Sequence, residues 1–346
     1  MRTFLPISQD ATIYQRYPDN NTGLDEIIEV GKVIKPLDGV GKYASGSARI
    51  VLNIDIPSEN QYPTNSVYYL NLRIANAKNV TRYQQLNVYP VSRSWTEGSG
   101  YFYQDVKNMQ DGVTWNVASP IVSWSLSGSD YVTTPSASYT FSRVPIEDIK
   151  IDVTQIIRPV VSGSNEFAWN GLIVKFPDTD EQLTTNTGNI KFFSSNTHTI
   201  FAPKLEVLYN NQTFITGSLK PISTGNISII PKNLKTAYTV GEIDKVYLVV
   251  RDKFPDKRFD EAQRYKTKYY LPSSSLYRIK DQVSGMTIHD FDQYSTINCD
   301  TSGSYILLDT TGFDVDRYYT IDLKISSGQQ VWFPEFDYSF KVDRNG

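Results

Sequence analysis

The feature that most constrains this chain is a succession of short segments rich in β-branched and aromatic residues, separated by Gly, Pro, Asn, Asp or Ser. Clear examples are residues 11–14, 26–30, 47–56, 66–74 and 85–89. Several alternate apolar and polar residues, and this period of two places one face of a strand on a core and the other in water. Helical periodicity is nearly absent, with one or two turns expected between Asp152 and Pro159. The sequence therefore predicts an all-β protein with packed antiparallel sheets.

Length and turn signals predict two domains. The chain has 346 residues, whereas a single hydrophobic core rarely grows beyond about 250 residues. A strand-like segment ends at Tyr209 in a paired-Asn turn, and strand patterning restarts after Pro231. The expected organisation is a first β-sandwich, a linker and a smaller immunoglobulin-like β-sandwich, at residues 1–210, 211–230 and 231–346.

Charge and cysteine content exclude several functional classes. The 34 Lys and Arg residues nearly balance 37 Asp and Glu residues, so composition provides no field that would attract nucleic acid or an anionic membrane. Cys299 is the single cysteine and cannot form an internal disulfide or a cysteine-rich zinc site. The first residues lack the apolar core of a signal peptide, and no apolar stretch approaches about 20 residues. We expect an unexported protein without a nucleic-acid or membrane partner.

Motifs for covalent chemistry are missing from the sequence. No Gly-x-Ser-x-Gly occurs, Cys299 has no neighbouring histidine, and His198 and His289 fall in different predicted domains. These observations favour a protein that is not an enzyme. A glycan depolymerase stays open as an alternative, because glycosidase carboxylates are defined by their separation in space rather than in sequence.

A set of ordered landmarks extends from the first strand to Tyr209. They are Asp10 followed by residues 21–23, 47–56, 88–97, 111–115, 128–131, 151–154, 170–175 and 203–207. In this order they resemble the DNRLRE-type jelly-roll domain, a relative of carbohydrate-binding modules found in surface and phage proteins. The resemblance implies a jelly-roll β-sandwich for the first domain.

The whole chain resembles structural proteins of tailed-phage virions. A jelly-roll domain is followed by a short C-terminal β-domain, and Tyr, Asn, Ser and Thr are abundant. The resemblance implies a neck, tail or head-surface component that is made in the host cytoplasm and resides in the virion. Its implied partners are other virion structural proteins and further copies of itself, and its implied mechanism is assembly through polar interfaces.

Aromatic residues cluster between Trp95 and Trp124, with Trp115 between them. Flat aromatic rings stack on the apolar faces of sugars, so this cluster could form a glycan platform. The alternative is that the tryptophans fill the sandwich core, and this alternative is favoured because Trp95 and Trp115 recur with the resembled fold. The intervening loop contributes further candidate contacts to a partner or a glycan, namely Tyr101, Phe102 and Tyr103. A glycan-binding adhesin is therefore the alternative function.

An acidic segment partly matches a calcium loop. Asp19 and Asn21 supply side-chain oxygens before Gly23, but the bidentate Glu of such loops is missing. The alternatives are a Ca²⁺ site at Asp19 and Asn21 or a turn stabilised by an Asx side chain. No other cofactor is expected.

A mixed-charge segment at residues 251–268 contains several basic residues interleaved with acids. Arg251, Lys253 and Arg258 are its candidate contact residues. One interpretation is a rim of salt bridges that fixes the register of neighbouring subunits, and the other is a solvated hairpin loop.

Overall fold

A computed structural model describes residues 1–36, 43–57, 62–102, 111–142, 148–185, 187–222, 226–254 and 269–344. Strands account for 48% of the structure and helices for 4%, which confirms the predicted all-β sandwich fold. The chain divides into two compact units. We call Leu5–Val207 the N-terminal unit, and Met1–Phe4 together with Leu208–Gly346 the C-terminal unit. Residues 211–230, expected as a linker, belong to the C-terminal unit.

The first thirteen strands supply the sheet of the N-terminal unit and a small hairpin. They are β1 (Arg2–Tyr14), β2 (Ile27–Pro36), β3 (Tyr43–Ile54), β4 (Val67–Leu72), β5 (Ile74–Lys78), β6 (Tyr83–Pro90), β7 (Val117–Ser119), β8 (Val122–Ser123), β9 (Ala137–Ser142), β10 (Ile149–Asp152), β11 (Leu172–Lys175), β12 (Gly188–Phe193) and β13 (Lys204–Leu208). The main path through the sheet is β10-β4-β13-β1-β3-β11-β6-β9. Strand β2 joins β3 to β12, and β12 also pairs with β5.

Strand β3 organises this sheet. Its C-terminal half pairs antiparallel with β1 and β11, and its N-terminal half pairs with β2. Ile50, Val51 and Leu52 are all fully buried, so both faces of the sheet are covered at this point. One of these faces packs against the loop segments that carry the clustered tryptophans.

Two helices interrupt the strands. Helix α1 (Thr154–Val161) follows β10, and helix α2 (Asp178–Glu181) follows β11. The N-cap of α1 is Val153, which makes no side-chain capping bond. The carboxylate of Asp152, one residue before it, accepts a hydrogen bond from the Thr154 N–H at 2.9 Å. The helix extends two residues beyond Pro159 because Val161 is buried and stabilises its last turn. Among the described residues, no helix has the length and hydrophobicity needed to cross a bilayer.

The C-terminal unit is a sandwich of two sheets. Its strands are β14 (Lys220–Pro221), β15 (Ile227–Pro231), β16 (Ala237–Thr239), β17 (Ile243–Asp252), β18 (Tyr269–Tyr270), β19 (Leu276–Asp281), β20 (Thr287–His289), β21 (Asn298–Asp300), β22 (Gly303–Asp309), β23 (Arg317–Ser327), β24 (Gln330–Trp332) and β25 (Ser339–Asp343). One sheet has the order β14-β18-β17-β22-β21 with β15 beside β17. The other has the order β16-β25-β23-β19-β20 with β24 beside β23. Alternate residues of β17 and β23 point into one shared core.

The first residues of the chain complete this C-terminal core. Arg2 forms an ion pair with Asp292 at 2.5 Å, and the ring of Phe4 lies 6.1 Å from that of His289. Gly312 has a φ of +72°, and a Cβ there would approach the carbonyl oxygen of Phe4 to 2.5 Å. Glycine at position 312 therefore permits both the turn and the close contact with Phe4.

Candidate functional site

The three clustered tryptophans lie in the core of the N-terminal unit. Trp95, Trp115 and Trp124 are each at most 9% exposed and pack together in one hydrophobic cluster. The indole N–H of Trp95 donates to the carbonyl of Asn170 at 2.9 Å, and that of Trp124 donates to the carbonyl of Thr114 at 2.9 Å. The structure therefore places these rings in the core rather than on a glycan platform, and Trp95 is too buried to contact a partner.

The loop after Trp95 exposes one of its predicted aromatic contacts. Phe102 is 40% exposed, and its ring packs 4.8 Å from Tyr14 and 5.5 Å from Tyr17. Tyr101 is half-buried, and Tyr103 lies outside the described residues. Phe102 is thus available at the surface, supported by the ring of Tyr14 at the end of β1 and by that of Tyr17 in the turn that follows.

Asp19 and Asn21 have separate structural partners. Asp19 accepts a hydrogen bond from the side chain of Asn116 at 2.9 Å. The buried Asn21 amide donates to the carbonyls of Glu97 and Val113 and accepts from the N–H groups of Gly23 and Gly100. Its bond to Gly23, two residues on, forms the Asx turn that was the alternative to a metal site. In the described parts of the chain, no cluster of three or more His, Cys, Asp or Glu residues could hold a metal ion.

A carboxylate pair, with Asp10 buried and Glu97 half-buried, was missed by sequence reasoning. Glu97 accepts a hydrogen bond from the Asp10 N–H at 2.9 Å, and Asp10 accepts one from the Ser195 N–H at 2.7 Å. Oδ1 of Asp10 has no partner within the described residues. Desolvation, with a further contribution from the charge of Glu97, raises the pKa of Asp10 to about 7. Desolvation also raises the pKa of Glu97.

The predicted basic contact residues lie at the end of β17. Arg251 and Lys253 are exposed, and the Lys253 N–H donates to the carbonyl of Asn226 at 2.9 Å. Arg258 lies outside the described residues. Arg251 and Lys253 are therefore accessible, as either interpretation of this segment requires.

The N-terminal unit has a polar cleft of about 600 Å³, which we call the serine cleft. It is lined by Arg49, Ser92, Arg93, Ser125, Leu126, Ser127, Ser129, Asp130, Tyr131 and Thr133. An ion pair crosses its wall, with Nε of Arg93 lying 2.7 Å from Oδ2 of Asp130. Desolvation opposes ionisation of Asp130, but hydrogen bonds from the N–H groups of Ser125 and Leu126 and from Arg93 lower its pKa. The cleft therefore presents a charged pair whose net charge is zero.

A second set of charged side chains supports the wall of the cleft. Arg49 donates to the carboxylate of Glu181 at 3.0 and 2.6 Å, and its guanidinium lies 4.8 Å from the ring of Trp115. Lys175 is buried, with Nζ 3.2 Å from Glu181 and 5.5 Å from the centre of the Tyr131 ring. These contacts fix the wall to β3, β11 and α2 and limit its freedom to move.

The C-terminal unit exposes rings on the outer side of the sheet that contains β23. Phe333 is 63% exposed and lies 5.9 Å from Phe291. The guanidinium of Arg278 lies 4.6 Å from the Phe291 ring, and Nζ of Lys324 lies 6.0 Å from it. Exposed Val331 of β24 adds an aliphatic side chain. We call Arg278, Phe291, Lys324, Val331 and Phe333 the aromatic face.

Comparisons with known proteins add little to this geometry. No family model matches the chain, and no curated protein matches it. Among solved structures it is similar to a DUF4785 family protein from Legionella pneumophila, with 9% sequence identity and a TM-score of 0.19. That match covers 98% of this chain and 66% of the other. A similarity at this TM-score carries no argument, so the DNRLRE resemblance stays a prediction.

Proposed function

We propose that this chain is a non-enzymatic structural component of a tailed-phage virion and acts through protein–protein assembly. Its partners are other virion structural proteins and further copies of itself. The virion setting comes from the sequence resemblance. The observation that carries the assembly role is the aromatic face of the C-terminal unit.

The composition of the aromatic face suits a protein interface. Phe and Arg are enriched at the centres of interfaces, where buried rings and guanidinium groups contribute most of the binding energy. Arg278 is already held in place by Asp322 at 2.7 Å and by the ring of Phe291. Because Arg278 is already restrained, a partner that covers Phe333 loses less free energy to the ordering of this side chain than it would with a mobile arginine.

The single cysteine and the two histidines support a role without covalent chemistry. Cys299 is buried, and desolvation raises the pKa of its thiol, which opposes formation of a reactive thiolate. Desolvation lowers the pKa of the buried His289, and His198 is exposed on the other unit. The three groups do not form a nucleophile and base pair.

The experiment measures association of the full chain by sedimentation velocity, alone and with the other proteins of the virion. We expect the double variant Phe291→Ser, Phe333→Ser to lose at least about tenfold in affinity, the equivalent of about 1.4 kcal/mol. Val283→Ser is the control, because Val283 is also an exposed hydrophobic residue of the same unit but is not part of the aromatic face. Association that is unchanged in the double variant, or absent in the unmodified chain, would contradict the proposal.

A further inference from the structure

One side chain of the serine cleft is unsatisfied. Ser129 is 3% exposed, and its Oγ has no hydrogen-bond partner within the described residues. Leaving a buried hydroxyl unpaired costs about 1–3 kcal/mol. Its φ of +88° adds strain, because this region of backbone space is unfavourable for serine. The two unfavourable features occur together on a residue that lines the cleft.

The surrounding structure holds Ser129 in this conformation. The N–H of the preceding Gly128 donates to the carbonyl of Trp115 at 2.7 Å, and its carbonyl accepts from Arg49 at 2.6 Å. A Cβ at position 128 would lie 2.7 Å from the Arg49 guanidinium and 2.8 Å from the Trp115 ring. The conformation of the base of the cleft is therefore fixed by protein contacts and does not depend on a ligand.

The polar groups of the cleft fit a ligand with several adjacent hydroxyls. The described bonds of Arg93 use Nε and Nη2, to Asp130 and Ser125, which leaves Nη1 as a donor for a ligand. Oδ2 of Asp130 already accepts from Arg93 and from the Ser125 N–H. Oδ1 accepts only from the Leu126 N–H in the described bonds and keeps one acceptor site for a ligand. A hydroxyl both donates and accepts, so neighbouring hydroxyls can bond to both members of the ion pair. Arg93 is neutralised by Asp130 and Arg49 by Glu181, so the lining has no net charge that would favour an anionic or a cationic ligand.

The apolar groups of the cleft are few and fixed. The half-buried Tyr131 ring lines the cleft and is stacked 5.0 Å from Tyr89, which restricts its movement. Aromatic side chains pack against the C–H groups of sugar rings. The volume of about 600 Å³ lies within the range of small-molecule sites, about 300–1,000 Å³.

From these observations we infer that the serine cleft is a binding site for a short neutral saccharide. Arg93 and Asp130 bond to adjacent hydroxyls, Tyr131 packs against the ring, and Ser129 bonds to a further hydroxyl at the base. This site is separate from the aromatic face and does not depend on the proposed assembly role. It also differs from the glycan platform considered at Trp95.

The test uses the full chain on an array of neutral, uronic-acid and sialylated oligosaccharides, followed by calorimetric titration with the best neutral binder. Arg93→Met should weaken binding about tenfold, and Ser129→Ala about threefold, the equivalents of about 1.4 and 0.6 kcal/mol. Controls are Arg82→Met and Ser164→Ala, because both residues are exposed and do not line the cleft. Both controls should retain the affinity of the unmodified chain.

Ser129→Ala keeps the test decisive if Arg93→Met fails to fold, because it removes only an unpaired hydroxyl. The inference is overturned if no neutral saccharide binds, if Ser129→Ala leaves the affinity unchanged, or if inorganic phosphate or acidic sugars bind in preference. Sedimentation of the same variants separates the two proposals. Variants of the cleft should associate normally even when they no longer bind sugar.

Discussion

The two units differ in how many of their large hydrophobic residues they leave exposed. The N-terminal unit buries Trp95, Trp115 and Trp124 and lines its cleft mainly with polar side chains. The C-terminal unit also has an apolar core, but it leaves rings such as Phe333 and Tyr318 in solvent. Most of the exposed large hydrophobic residues of the described structure belong to this unit. An abundance of aromatic residues therefore indicates a binding surface only where the sheets leave the rings uncovered.

The units also differ in how they hold a buried acid. Asp10 of the N-terminal unit has no cationic partner in its described hydrogen bonds, and its pKa is raised to about 7, chiefly by desolvation. Asp281 of the C-terminal unit accepts two hydrogen bonds from Arg317, one of them at 2.6 Å, and this lowers its pKa. The two units should therefore respond to pH in opposite directions.

The largest expected effect is the pH dependence caused by Asp10. Between about pH 4 and pH 7 the carboxyl is protonated in the folded state and ionised in the unfolded state, so the folded state binds the extra proton. The free energy of unfolding of the N-terminal unit should fall by about 4 kcal/mol as pH rises through this window, at about 1.4 kcal/mol per pH unit. Asp281 acts in the other direction, because stability from its lowered pKa is lost as pH falls below about 4.

Tryptophan fluorescence during urea unfolding measures this effect, since every tryptophan except Trp332 lies in the N-terminal unit. Asp10→Asn keeps an oxygen that can accept from the Ser195 N–H and removes the titration. The variant should be more stable than the unmodified chain at pH 8, and its stability should fall less steeply between pH 5 and pH 8. The remaining fall is expected from Asp25, because desolvation raises its pKa to about 6. A steep fall that persists in Asp10→Asn would assign the pH dependence to another group.

The next largest effect is expected at Asn21, whose amide joins two loops of the N-terminal unit by four hydrogen bonds. Asn21→Ala leaves buried backbone groups unpaired and should lower the free energy of unfolding by about 3 kcal/mol. The neighbouring Asn20→Ala is the matched control and should change it by less than about 0.5 kcal/mol. A loss below about 1 kcal/mol at Asn21 would show that water replaces these bonds.

The smallest of the three effects concerns the paired acid of the C-terminal unit. Arg317→Met leaves Asp281 buried without its cation and should cost about 2 kcal/mol, less than for a fully buried pair because Arg317 is partly exposed. Arg251→Met, at an exposed position, should have no measurable effect. Amide hydrogen exchange of peptides from β19 and β23 during urea unfolding follows this unit, since both strands belong to it. If Arg317→Met and Arg251→Met were equally stable, the ion pair with Asp281 would not stabilise this unit, and the contrast with Asp10 would fail.

Local patterns in the sequence predicted the strands but only part of the candidate sites. Strands β17 and β23 follow the expected alternation because their residues face either one core or water. The exposure of Phe102 follows from its Gly- and Ser-rich loop. Pattern could not decide whether Trp95 faces solvent, since an indole suits both a core and a surface.

The serine cleft could not be predicted because its parts are distant in sequence. Arg49, Arg93 and Asp130 come from separate segments, and Glu181, which holds Arg49, comes from a fourth. The same is true of Asp10 and Glu97, which are 87 positions apart. Their proximity depends on strand order, and hydrophobic periodicity does not define strand order.

The contribution of Met1–Phe4 to the C-terminal unit has a consequence for synthesis and for dissection of the chain. These residues are synthesised before the N-terminal unit, yet their packing partners around His289 and Gly312 are synthesised only after it. A fragment that starts at position 208 would lack the phenyl ring of Phe4 and the guanidinium of Arg2. Adding back a peptide of the opening residues should then rescue such a fragment, as in split-protein complementation.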